Sequence, residues 1–127
     1  MGNYPHALLF HEKSLEIQQK SLPSTHPDIA GTYANIGSVY ISMKDYVNAL
    51  SSYEKALQIR QQSIPLNHSD LFAYYHIIGY LYEEMEKYSK AYSSYECAMQ
   101  NLQESLPTNG PSIEDYTRNI ERVKEKL

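Results

Sequence analysis

The residues of this chain able to do chemistry are few, and their spacing keeps them apart. His26 and His68 sit in loops of similar wording, THPD and NHSD, one layer of structure apart. That is too far to share a metal ion without other ligands nearby, and neither loop offers them. His6 and His11 differ by five positions, so they diverge around a helix. Cys97 carries no sequence signature of a nucleophile and reads as a small packing residue. The sequence contains no Gly-rich phosphate loop and no G-x-S-x-G. No enzyme, no metal site and no cofactor is therefore expected.

Bulk properties narrow the classes further. The chain has 127 residues and a formal net charge of -4. A chain of this length buries roughly two thirds of its unfolded surface. The acidic balance gives no electrostatic footprint for nucleic acid. A single cysteine forbids an internal disulfide and fits a reducing compartment, which points to the cytoplasm. The longest strongly apolar run, Leu71 to Tyr82, is broken only by His76 and Gly79. It suits a buried helix and is too short to span a membrane. The start, MGNYPHALL, lacks a basic segment followed by an apolar core, so no secretory signal is expected.

The organising feature is a repeat. Tyr33 to Ala56, YANIGSVYISMKDYVNALSSYEKA, recurs without a gap 42 residues later as YHIIGYLYEEMEKYSKAYSSYECA, Tyr75 to Ala98. Gly37 pairs with Gly79, Tyr40 with Tyr82, Ala49 with Ala91, Tyr53 with Tyr95 and Ala56 with Ala98. Pro23, Pro65 and Pro107 share the same step. A fixed period of this size marks a stacked repeat protein. Prolines and short connections then predict about six helices and no strand: 5–22, 28–43, 47–64, 69–85, 89–106, and a last one opened by Asn109-Gly110-Pro111 and running to Leu127. Lys44-Asp45-Tyr46 and Glu86 to Tyr88 read as tight antiparallel turns.

A mid-helix glycine costs about 1 kcal/mol against alanine. Two in one register imply close helix approach, with Ala49 and Ala91 as the small partners expected one helix later. Tyr40, Tyr53, Tyr82 and Tyr95 would fill the space between layers, their hydroxyls needing water or an acceptor. These positions read as core.

The spacing Tyr33-x2-Ile36-Gly37-x2-Tyr40 followed by Ala49-x3-Tyr53-x2-Ala56, and its copy at Tyr75 to Ala98, resembles the tetratricopeptide repeat. The 42-residue period and the loop-to-helix words THPDIAGTYANIGSVY and NHSDLFAYYHIIGYLY are similar to repeats of kinesin light chains. The resemblance spans nearly the whole chain. It implies an all-α right-handed superhelix of antiparallel helical hairpins, a single array over 1–127. Counted second helix first, its units are 4–45, 46–87 and 88–127; the full repeats run over about 27–65 and 69–107, with partial repeats at both ends. Open ends imply a fragment of a longer array, or self-association through an end.

The resemblance also implies a protein-interaction scaffold that takes a peptide in a concave groove lined by first helices. Carried over by register, the groove residues are Asn35, Ser38, Ser42, His76, Tyr80, Glu83, Arg118, Asn119 and Arg122. Asn35 and Asn119 match an asparagine resembling the family's anchor for a peptide backbone, a position held by Ile77 in the middle repeat. Registers that carry cations in chaperone-binding members hold Ala34, Ser38, Ala73 and Ile77, so a carboxylate clamp is not expected. Tyr80 is the expected anchor, with His76 beside it, and Glu83-Glu84-Met85-Glu86 reads as a solvated helix end. The expected partner is a protein or peptide segment of mixed polarity, with no nucleic acid and no membrane. Two alternatives are a regulatory or structural segment of a larger, enzyme-linked protein and a motor cargo adaptor.

Overall fold

A computed structural model describes residues 3–63, 65–105 and 113–127. Among them are six helices and no strand: α1 (Tyr4–Ser21), α2 (Pro27–Ser42), α3 (Tyr46–Gln61), α4 (His68–Glu84), α5 (Tyr88–Glu104) and α6 (Ile113–Lys124). They form two compact units, Met1–Leu66 and Asn67–Leu127. In the first unit α2 packs along α3, and α1 lies against α2. In the second, α4 packs along α5, and α6 lies against α5. The two central hairpins are the repeated sequence; what differs is the third helix, which precedes the hairpin in one unit and follows it in the other.

The helix boundaries are written in side chains. Asn3, Asp45 and Asn67 each accept a hydrogen bond from the backbone N–H three residues on, and the His26 ring accepts one from Asp28. These bonds satisfy donors that a helix start leaves orphaned. Because Asp45 caps α3, Tyr46 is already helical, and Tyr88 is the matching first residue of α5. Both tyrosines thus belong to helices rather than to the expected turns. At the other end, α3 stops at Gln61, ahead of the expected Ile64. Pro65 cannot continue a helix, and the chain has already left α3 at its C-cap, Gln62. Ile64, the stop at Pro107 and the Asn109-Gly110-Pro111 start lie outside the described residues.

Each hairpin turn closes the same way. Lys44 and Glu86 hold φ of 61° and 60°, the left-handed conformation. The Asp45 N–H reaches back to the Tyr40 carbonyl at 2.9 Å, and the Lys87 N–H to the Tyr82 carbonyl at 2.8 Å. With the shorter bonds from Lys44 to Ile41 and from Glu86 to Glu83, this is the Schellman geometry. It satisfies the last carbonyls of α2 and α4 and reverses the chain without glycine.

Within each hairpin the glycine faces a ring. A Cβ built on Gly37 would lie 2.6 Å from two ring carbons of Tyr53, and one on Gly79 would lie 2.7 Å from Tyr95. The group accommodated is therefore the tyrosine. Ala49 and Ala91, one turn earlier on the same helices, are fully buried. Both rings are buried to within 3% of full cover. Each ring contributes about 1.5–3 kcal/mol of burial, more than the glycine's helix penalty of ~1 kcal/mol. In the first unit Ile29, Ile36 and Ala56 are buried as Tyr53 is; Tyr95 shares a cluster with Ala98, Leu102, Tyr116 and Val123.

Two substitutions test this account. Gly79→Ala gains helix propensity but drives a methyl into a ring that cannot retreat, so a net loss of about 1–2 kcal/mol is expected in urea unfolding. Lys87 starts α5 with no side-chain cap, where its counterpart Asp45 caps α3. Lys87→Asp is expected to raise stability by about 1 kcal/mol, since it adds the cap and removes a cation from the positive end of the dipole.

Candidate functional site

In the second unit, Phe72 and His76 stand one turn apart on α4, and Glu83 follows two turns later on the same side. On α6, Asp115, Arg118, Asn119 and Arg122 recur at helical spacing, a single polar stripe. The two rows face each other across a cleft of about 530 Å³, lined by Phe72 and His76 from α4 and by Asp115, Tyr116, Arg118, Asn119 and Arg122 from α6.

The cleft wall is aromatic. The His76 ring stacks on Phe72 with centroids 5.9 Å apart and 19° between planes. It also meets Tyr95 at 5.7 Å and Tyr116 at 5.6 Å, while Phe72 and Tyr116 contact edge to face at 5.3 Å. His76 Nδ1 is hydrogen-bonded to the Tyr116 hydroxyl at 3.0 Å, which ties α4 to α6. Burial pushes the His76 pKa below its ordinary value, and the Glu83 charge only partly opposes this, so the ring is neutral at pH 7. Burial likewise raises the Tyr95 and Tyr116 phenols, which stay protonated.

At one end of the cleft is a charged clamp. Glu83 receives both guanidinium nitrogens of Arg122, Nη2 at 3.0 Å to Oε1 and Nη1 to Oε2. The Tyr95 hydroxyl donates to the same Oε1 at 2.8 Å. Three helices thus converge on one carboxylate. The Arg122 hydrogen bond holds the Glu83 pKa below its ordinary value, and Glu83 in turn raises that of Arg122. Arg122 Nη2 also donates to Asn119 Oδ1 at 2.6 Å, and Arg118 donates to Asp115 at 3.0 Å. The side chain of Glu83 is only 14% exposed, so it does not belong to a solvated helix end, although Glu84 and Glu86 are exposed.

Of the candidate residues, His76, Arg118, Asn119 and Arg122 line this cleft and Glu83 adjoins it through Arg122. Tyr80 is 38% exposed on α4 and is not among the lining residues. Asn35, Ser38 and Ser42 lie on α2 in the first unit, all exposed. The Ser38 hydroxyl bonds the Tyr53 hydroxyl at 2.6 Å, and the Ser42 hydroxyl returns to the Ser38 carbonyl at 3.2 Å. A smaller hollow of about 220 Å³ in that unit is lined by Tyr33, Ile36, Tyr40, Lys55 and neighbours, and includes none of the three. Sequence reasoning passed over Phe72, Tyr95 and Tyr116. The first was detectable as an aromatic one turn before His76. Tyr95 looked like repeat core, and Tyr116 repeats Tyr74 one 42-residue step earlier, a signal that Thr32 breaks in the first copy.

No cluster of three or more His, Cys, Asp or Glu side chains able to hold a metal occurs among the described residues. Burial, and secondarily the Glu96 charge, pushes the Cys97 thiol up, away from the reactive thiolate. Among the described residues no helix is long and apolar enough to cross a membrane.

Comparisons with known proteins give the same architecture. The family model described as tetratricopeptide repeat matches residues 1–62 and 28–104. No curated protein matches the sequence. Among solved structures, nearly identical TPR-like repeats from Podosopora anserina, assigned as a kinesin light chain, superpose with a TM-score of 0.78 at 19% identity, covering 98% of this chain and 59% of that one. BtubC (BKLC) from P. vanneervenii superposes with a TM-score of 0.71 at 16% identity, covering 100% of this chain and 51% of that one. The chain therefore spans between half and three fifths of the length of these structures.

The electrostatics of the wall set a pH dependence. With a lowered folded pKa, His76 binds its proton more readily in the unfolded chain. Stability is then full above about pH 7.5 and falls as pH drops through 6.5 toward the folded value. Glu83 acts lower down: its contribution is present above its ordinary value and disappears as pH falls through the depressed one. Urea midpoints should fall for the wild type as pH is lowered from about 7.5 to 5, and fall less for His76→Gln.

Proposed function

The chain belongs to the tetratricopeptide repeat family, and on that premise we propose that it is a protein-interaction module whose second unit docks a peptide segment between α4 and α6. Repeats of this family generally mediate contacts between proteins. The observation that carries the reading is the aromatic wall of Phe72, His76 and Tyr116 set beside polar groups at helical spacing on α6. Concave sites that are mainly apolar with a few fixed polar groups are the common form of ligand pockets.

Phe72, His76 and Tyr116 receive an apolar side chain of the segment. Asn119 has its carbonyl oxygen committed to Arg122, so its amide donors are what it offers to a peptide carbonyl. Tyr80, one turn beyond His76 on α4 and partly exposed, contacts the segment beyond the cleft. In the first unit Asn35 is the polar contact for a ligand, because the Ser38 and Ser42 hydroxyls already have partners. The module acts by binding, has no catalytic role, and works in the cytoplasm, for which the single cysteine is the support.

The test is selection from a displayed random-peptide library on the purified chain, followed by titration of the recovered peptides. Phe72→Ala and Asn119→Ala are expected to weaken them by about tenfold each, the effect of removing an anchor or a polar contact. Recovery of no peptide, or of peptides indifferent to both substitutions, would overturn the reading.

A further inference from the structure

We propose that Glu83 sets the ligand class of the cleft: by holding Arg122 it makes the site one for an uncharged, apolar-led segment instead of an acidic one. The inference rests on the peptide-docking reading and specifies what the peptide must look like.

Two arginines on a cleft wall would ordinarily favour carboxylates, since a guanidinium fork matches a carboxylate in two places. Here the fork of Arg122 is already occupied. Both of its terminal nitrogens lie on Glu83, and one of them also donates to Asn119. An incoming carboxylate would have to displace Glu83 from Arg122, leaving a sheltered carboxylate with only the Tyr95 hydroxyl. Leaving a buried charge without its partner is the costly half of such an exchange. Glu83 is 14% exposed and Arg122 47%, so the anion is sheltered and the cation shields it.

Arg118 is a weaker case. Its pair with Asp115 is exposed on both sides, at 76% and 58%, and counts for little beyond cancelling charge at the rim. Lys126 contributes only a field at Glu83, its ammonium lying over the Tyr88 ring at 5.2 Å. Arg122 with Glu83 and Arg118 with Asp115 therefore sum to zero around a wall of three rings. The main attraction then comes from apolar burial, which charge screening by salt does not weaken.

The chain has no tryptophan, so tryptophan in a probe reports its own binding by fluorescence. Two capped peptides suffice: acetyl-Gly-Ser-Leu-Trp-Ser-Gly-amide, uncharged, and acetyl-Gly-Glu-Leu-Trp-Glu-Gly-amide, acidic. The wild type is expected to bind the uncharged probe at least as tightly as the acidic one. That affinity should change by less than about twofold between roughly 50 and 500 mM salt. Glu83→Gln removes the charge that neutralises the guanidinium while keeping an acceptor for Tyr95, and should shift the ratio of the two affinities toward the acidic probe by about tenfold, the worth of one charged hydrogen bond. Adding Arg122→Gln to Glu83→Gln should abolish that shift. Should Glu83→Gln fail to fold, the wild-type salt series decides alone.

A wild type that prefers the acidic probe and loses it in salt would overturn the inference while leaving the docking site intact. An unchanged ratio in folded Glu83→Gln would do the same. Failure of both probes on the wild type and on the variant would overturn the docking reading, and this inference with it.

Discussion

Everything in this molecule depends on how closely two helices can run. At Gly37 and Gly79 the approach is set by a tyrosine ring lying where a Cβ would otherwise be. That contact fixes the separation and rotation of α2 on α3 and of α4 on α5, and so decides which side chains remain on the outer faces. The glycine's loss of helix propensity is smaller than what the ring gains by burial. The turn geometry agrees with the packing: each first helix ends in a left-handed residue directed into the next, so hairpin and contact specify one arrangement.

The same ring brings a polar atom into the core, and the units resolve this differently. Tyr53 shares its hydroxyl with Ser38 at the edge of α2, a neutral and local solution. Tyr95 gives its hydroxyl to Glu83, which requires a cation, and α6 supplies Arg122. A position that began as repeat packing thereby becomes the base of a polar network. The His76–Tyr116 bond runs parallel to it, so α6 is held to the hairpin by two polar ties as well as by buried Tyr116 and Val123.

Much of this was legible in the residues. The 42-residue step, the proline stops and the Gly–Ala–Tyr register specify helices and hairpins, because packing of a repeat leaves a repeated trace. Helix ends were less legible: capping by His26 and early unwinding before Pro65 depend on single side chains. The cleft was half legible. The α6 stripe is periodic and shows itself, but Glu83 lies in a run of acids and differs from Glu84 and Glu86 only by what faces it. Tyr95 was hidden for the opposite reason, since its repeat position makes it look purely structural. Tyr80 stood out as a large aromatic in the right helix; it shares the side of α4 that carries His76 and Glu83, but the lining of the cleft does not extend to it.

The convergence of three helices on the Glu83 carboxylate has an evolutionary consequence. In the first unit, outward positions such as Asn35 can change without disturbing the hairpin beneath them. In the second, the atoms that set the charge of the cleft are also those that fasten α6. Drift at Glu83 or Arg122 alone exposes an unmatched charge, so an altered preference must arrive through paired changes or through the ring-bearing positions. The two halves of this short chain are therefore open to diversification at different rates, although they descend from one repeated motif.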